Sequence, residues 1–186
     1  MDAVAEYLSL DEPDRSNHLW KYTPWRRVHP TGDITSIPDG IGSPQLRLIG
    51  LDGSEASEGI RLEEGVTSAS VLPESDVVTS SFLQAASASS QWTLRVEPNF
   101  SSQHPVVLDI DAGYSAAVLH LALDVGHLSE LELITRVRGS GEWFGFLRTG
   151  EIGEGSILND VVVSLQDEGT LLRVDSIAVG KDAQVR

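Results

Sequence analysis

From Gln91 almost to its last residue the chain alternates apolar and polar positions. A period of two is the spacing at which the side chains of an extended strand share a face. "QWTLRV" sets Trp92, Leu94 and Val96 on one face. "VVLDIDA" sets Val106, Leu108 and Ile110 against Asp109 and Asp111, and "AAVLHLALDV" aligns Leu119, Leu121, Leu123 and Val125. "SELELITRVR" opposes Leu131, Leu133 and Val137 to Glu130, Glu132, Arg136 and Arg138, the pattern of a half-buried strand. "EWFGFLR", "SILNDVVVSL" and "TLLRVDSIAV" continue the series, which predicts a mainly β fold.

Ahead of Gln91 the pattern is different. Residues 1–10 place Val4, Tyr7 and Leu8 on one side of a short helix that ends at "DEPD". Trp20, Tyr22 and Trp25 crowd into six residues, with Pro24 and Pro30 limiting helix length, and read as an aromatic anchor packed on the body of the protein. Residues 31–44, rich in Gly, Pro, Ser and Asp, form an irregular connection. Two short strands, 45–51 and 59–62, flank the turn "LDGSEASEG", and residues 75–90 carry a helical pattern through Val78, Phe82, Leu83 and Ala86, with Ser75 as N-cap. The chain thus divides into an N-terminal arm, 1–44, and a core, 45–186.

Within the core, "VGHLSELEL", "IGEGSILND" and "VGKDAQVR" resemble one another, and their glycines Gly126, Gly153 and Gly180 recur every 27 residues. The same step backwards reaches Asn99. Glycine and asparagine are the residues that best tolerate positive φ, so one backbone corner per repeat is expected at these four positions. A fixed period of this size with one sharp turn per repeat marks a solenoid of stacked coils, each holding two or three strands. An antiparallel sandwich is the alternative, and Leu121, Arg148 and Asp175, aligned by the period, share no character. The sequence ends at Arg186, six residues past Gly180, without a polar cap. An incomplete core is therefore expected, its open C-terminal end covered by a partner or by further sequence.

Charge narrows the function classes. Thirteen Lys and Arg oppose 28 Asp and Glu, a formal net charge of -15, which repels nucleic-acid backbones and anionic membranes. There is no cysteine, hence no disulfide and no thiolate ligand from this chain. Neither a signal peptide nor a spanning apolar run is recognisable, so a cytoplasmic location is expected.

No motif nominates a catalytic, cofactor-binding or metal-binding residue. The carboxylate pairs Asp109/Asp111 and Glu130/Glu132 read as the solvated faces of strands rather than as metal or acid/base sites. His104, His120 and His127 lack zinc-motif spacing, and "LRTGEIGEGS" lacks the order and the lysine of a phosphate loop. The Trp20, Tyr22 and Trp25 group and "EWFGF" read as packing surfaces.

"WKYTPWRRV" looks like the "W+YT.L" segment that precedes the core of the SufB/SufD proteins of iron–sulfur cluster assembly. "TLRVEPNFSSQHPVVLDI" resembles that family's strand, corner and continuation, and "VGHLSELELITR" and "IGEGSILNDVVV" are similar to its successive rungs. The resemblance spans about residues 20–186 and implies a right-handed parallel β-helix with a short helical and aromatic arm. It further implies a scaffold working with a SufB-like subunit and an ABC-type, SufC-like ATPase, through a homo- or heterodimer at the β-helix edges. The family's later rungs, dimerisation region and C-terminal helical domain have no counterpart here, and no cluster-site residue carries over. Lacking cysteine, the chain is expected to be SufD-like and non-catalytic, to bind no cofactor by itself, and to leave the iron–sulfur cluster to the assembled complex. The alternatives are a free-standing β-solenoid that binds a carbohydrate or another small ligand, acting as a hydrolase or lyase, and an accessory scaffold such as one for urease maturation.

Overall fold

The computed structural model describes residues 2–14, 16, 20–66, 72–73, 76–113, 115–166 and 168–186. Its arm holds α1 (Ala3–Leu8) and α2 (Trp25–Val28). The core runs β1 (Gln45–Gly50), β2 (Ile60–Glu64), α3 (Val77–Ala86), β3 (Gln91–Val96), β4 (Val106–Asp111), β5 (Ala117–Val125), β6 (Glu130–Gly139), β7 (Trp143–Ile152), β8 (Ile157–Gln166), β9 (Thr170–Val179) and β10 (Gln184–Val185). From β3 onward, successive strands alternate between two sheets ordered β1-β4-β6-β8-β10 and β2-β3-β5-β7-β9, and every pairing among them is parallel. This is a β-solenoid of about three turns with two strands per rung, and it removes the sandwich alternative. β1 and β2 pair antiparallel, with β4 and β3, and so close the first rung. The short strands around "LDGSEASEG" therefore lie in opposite sheets.

The apolar faces read from the sequence fill the lumen. Leu94, Val96, Leu108, Ile110, Leu119, Leu121, Leu123, Leu131, Leu133 and Val137 form one buried cluster with Phe144, Phe146 and Leu158. Burying a side chain of this size contributes about 1.5–3 kcal/mol, which makes the lumen the main source of stability.

A second cluster lies outside the β2-β3-β5-β7-β9 sheet. There Tyr7, Trp20, Trp25, Phe82 and Leu83 cover the outward residues Val118, Leu147, Val174 and Trp143. Asp76, not Ser75, caps α3, accepting from the Thr79 amide at 3.3 Å; Ser75 lies outside the described residues. Trp20 and Trp25 anchor the arm as expected, but Tyr22 is 74% exposed and takes no part, and Leu8 on α1 also faces solvent.

The corners differ from the reading in register and in cause. Asn99 does not stack on Gly126. Rungs β5 to β7 and β6 to β8 repeat at 27 residues, for example Val125↔Ile152 and Leu131↔Leu158, whereas β3 meets β5 at Val96↔Val125, a step of 29. The first rung holds two extra residues between the Ser101↔Glu130 bridge and the Val106↔Leu133 pair. The column of left-handed residues is accordingly Asn99, Leu128, Gly155 and Asp182, with φ of 63°, 55°, 69° and 57°. The amides of Asn99, Leu128 and Gly155 donate to the carbonyls of His127, Glu154 and Lys181 in the following rung, each at 2.9 Å.

Gly126, Gly153 and Gly180 have no positive φ. They are glycines because neighbouring rungs touch there: a Cβ on Gly153 would sit 2.6 Å from the His127 nitrogen and 2.8 Å from the Gly126 carbonyl carbon. Serines complete the corner, Ser129 Oγ donating to the Glu97 carbonyl at 2.9 Å and Ser156 Oγ to that of Gly126 at 2.8 Å.

Gly153→Ala is therefore expected to cost about 1–3 kcal/mol by overpacking. Leu128→Asn, which relieves a left-handed leucine, is expected to be neutral or stabilising by up to about 1 kcal/mol. Urea denaturation of the two variants checks both; an unchanged midpoint for Gly153→Ala contradicts the close-approach account.

Candidate functional site

Apolar packing of the lumen gives way to charge along the axis. One inward column runs Trp92, Leu121, Arg148, Asp175 through β3, β5, β7 and β9. The three residues whose alignment lacked common character thus stack directly. Arg148 is 2% exposed, and its Nη1 and Nη2 donate to Oδ1 and Oδ2 of Asp160 on β8 at 3.0 and 2.7 Å. Its Nε donates to Asp175 Oδ1 at 2.7 Å, and Arg173 bonds the other oxygen of Asp175.

Burial alone would lower the Arg148 pKa, but Asp160 and Asp175 outweigh it and hold the guanidinium charged above its ordinary value. Burial likewise pushes the Asp175 carboxyl up, and Arg148 with Arg173 brings it below the usual carboxylate range. A bidentate fork between a planar guanidinium and a carboxylate is directional, so it fixes the register of β7 against β8 across the lumen.

A second charge cluster lies on the outer face of the other sheet. Asp109 is not solvated, as its alternation suggested; its side chain is 3% exposed. Arg136 Nε donates to it at 2.8 Å and Arg138 Nε at 3.0 Å, while Arg47 stands 3.9 Å away. Burial raises the Asp109 pKa, and the hydrogen bonds from Arg136 and Arg138 overcome this, leaving it lowered. Asp111 is the lesser partner, 3.7 Å from Arg138, and Glu130 and Glu132 are exposed as expected.

The histidines do not converge. His127 lies exposed at a corner. His120 is buried on the outer face of β5, with Nε2 2.8 Å from Thr149 Oγ1. His104 lines a cleft of about 850 Å³ formed by the β1–β2 connection and the first-rung insertion, together with Asp52, Glu55, Glu58, Asn99 and Phe100. Among the described residues no group of three His, Asp or Glu is placed to hold a metal ion. Trp143 and the phenylalanines of "EWFGF" are core, on opposite faces of β7.

The sequence reading missed the Arg148 and Asp109 clusters, although a signal for both was present: Asp109 and Arg136, like Arg148 and Asp175, are opposite charges one period of 27 residues apart.

No family model matches the chain, no curated protein matches it, and no solved structure matches it. No helix among the described residues is long and apolar enough to cross a membrane.

Asp160→Ala leaves Arg148 charged in the lumen and is expected to destabilise by about 3–5 kcal/mol, most of which the double replacement Arg148→Met, Asp160→Leu restores. Chemical denaturation of the single and double variants measures the difference.

Acidification acts through His120, whose pKa burial lowers from 6.5 to about 4. The unfolded chain takes up this proton near 6.5 and the folded chain only near 4, so about 3 kcal/mol of stability is lost as pH falls between those values. His120→Gln is expected to reduce the pH dependence of the denaturation midpoint across that window, leaving the part due to His29, whose pKa burial also lowers. The lowered carboxyls of Asp109 and Asp175 act at lower pH, below the ordinary value of 3.8, and leave the comparison unaffected.

Proposed function

We propose that the chain is a non-catalytic, SufD-like scaffold subunit of iron–sulfur cluster assembly that works through contacts with a SufB-like subunit and an ABC-type ATPase in the cytoplasm. The observation that carries this reading is the edge of the last rung. Among the described residues β9 bonds to β7 alone and β10 to β8 alone, leaving the other side of each strand unpaired, with Val179 and Val185 exposed beside it. Such an edge is a template for a further strand, from this protein or from another chain. The solenoid also agrees with the architecture that the SufB/SufD resemblance implies, and segments that carry the resemblance lie in consecutive rungs.

The chain's own donors do not suit a cluster. It has no cysteine, and its described residues bring no three ligating side chains together. An iron–sulfur cluster is therefore cargo of the complex in this reading, and the chain contributes shape and edges. Co-expression with neighbouring SufB-like and ATPase genes should give a co-eluting complex, weakened by Val179→Lys with Val185→Lys at unchanged thermal stability. Separate elution of all components contradicts the proposal.

A second reading, a ligand-binding solenoid, draws support from the 850 Å³ cleft, where Phe100 offers an aromatic wall beside carboxylates, as carbohydrate sites do. It stands apart from the edge and involves none of the same residues.

A further inference from the structure

The outward face of β1, β4, β6 and β8 carries a shallow groove of about 370 Å³, lined by Arg47, Ile49, Asp109, Arg136, Arg138 and Leu165. Strand alternation and rung register put these residues together. Leu108 and Ile110 fill the lumen, so Asp109 between them points outward. Pairing then sets Arg47 on β1 and Arg136 on β6 on either side of Asp109, and Arg138 beside Leu165 of β8 in the next outward row.

Asp109 forms the floor and orients the cations. Arg136 Nε and Arg138 Nε both donate to its Oδ1, at 2.8 and 3.0 Å, and Arg138 Nη2 lies 3.0 Å from Oδ2. The carboxylate is 3% exposed, whereas the side chains of Arg136 and Arg138 keep 39% and 37% of their surface in solvent. Arg136 is therefore pinned through Nε, with its two Nη groups making no hydrogen bond among the described residues. Arg47 stands 3.9 Å from the same carboxylate, 70% exposed, with its N–H groups equally unengaged there.

Three guanidinium charges thus stand within 4 Å of one carboxylate. Asp111, 3.7 Å from Arg138, balances a second charge in part, and a positive excess is left in a chain whose net charge is -15. Cations held this close repel one another, and a further anion over the groove relieves that repulsion. A phosphate monoester presents three terminal oxygens and nearly two charges at pH 7, which matches three guanidinium groups better than the two oxygens and single charge of a carboxylate. The remaining lining is apolar: Ile49 at one side and Leu165, 55% exposed, at the other. These suit an apolar body attached to the phosphate. The acidity of the rest of the chain disfavours long polyanions and leaves small ligands.

We propose that this groove binds a small phosphate monoester, with its phosphate on Arg47, Arg136 and Arg138 and its apolar body on Ile49 and Leu165. The site shares no residue with the strand edge or with the 850 Å³ cleft, so it does not depend on the scaffold reading.

The test is calorimetric titration of the full chain at low ionic strength with phenyl phosphate, inorganic phosphate and benzoate, combined with the ¹⁵N–¹H signals of the arginine Nε groups. Phenyl phosphate is expected to bind and to shift the Nε signals of Arg136 and Arg138, and the other two probes, each lacking one half of the ligand, to bind about tenfold more weakly. Arg47→Met removes a side chain that Asp109 does not hydrogen-bond, so the denaturation midpoint should stay unchanged while phenyl phosphate weakens about tenfold. Leu165→Ser should bring phenyl phosphate down to the level of inorganic phosphate and leave inorganic phosphate itself unaltered. A phosphotyrosine peptide should bind no more tightly than phenyl phosphate; tighter binding moves the ester to a partner chain and overturns the small-molecule assignment. Absence of heat and of any Nε shift with phenyl phosphate, which leaves the cluster a purely structural one, overturns the site. So does equal binding by wild type and Arg47→Met, or benzoate binding as tightly as phenyl phosphate.

Discussion

Parallel hydrogen bonding between consecutive rungs is the constraint on which the molecule depends. Each rung must return the chain to the same place after 27 residues, because β7 bonds to β5 and β9, and β8 to β6 and β10, along the length of the shared strands. A rung with a residue too many would put lumen side chains outside, since the side-chain period of a strand is two. The first rung shows what is tolerated: its two extra residues lie between paired stretches and, being even in number, preserve the facing of both strands. The extra chain bulges outward instead and forms one wall of the large cleft.

The same constraint decides how much of the fold was legible in the sequence. Lumen faces such as Leu119, Leu121 and Leu123 were legible because alternation is local, needing no knowledge of which strands pair. Corner register was not. Asn99 and Gly126 share a tolerance of positive φ and the spacing of 27, yet the insertion shifts the true partner of Asn99 to Leu128, a residue that nothing in its chemistry suits to positive φ. Glycine at 126, 153 and 180 was correctly singled out for a different physical reason, contact between backbones instead of left-handed geometry. The partners of Asp109 and Arg148 were not legible because each is polar in a strand, and only the neighbouring strands show whether its partner is water or an opposite charge. The burial of His29 was not legible either, since its ring packs between Trp25 of the arm and Phe82 of α3, which only the fold brings together.

The two sheets meet different surroundings, and the arm together with α3 is the cause. β5 is buried on both faces, which explains a strand whose outward residues include Val118 and His120 as well as its lumen leucines. Aromatic side chains are economical for such a cover, since Trp25, Phe82 and Trp143 each remove a large apolar area from water and their rings meet near edge-on. Gly145 makes room for it: a Cβ there would lie 2.4 Å from the Trp143 ring. Among the described residues the other sheet has no such cover, and its outward face is held by Asp109 beneath Arg136 and Arg138. An aromatic layer and a charge cluster thus do the same structural task on opposite sides of one lumen.

Charge within the lumen has a consequence for assembly. Apolar packing is nearly indifferent to small sliding of one rung over the next, whereas the fork of Arg148 on Asp160 is satisfied in one register only. The charged residues come late in the stack, in β7, β8 and β9, where the apolar lumen of the earlier rungs no longer dictates alignment by itself. Asp175 and Arg173, both partly exposed, face the side of the solenoid from which another rung would be added. A strand laid along β9 would meet paired charges already oriented by Arg148, so its own inward residues would have to be polar and matched in position. An apolar strand of the right length would bury that pair without compensation, a penalty that discriminates among partners more sharply than burial of Val179 or Val185 rewards any of them.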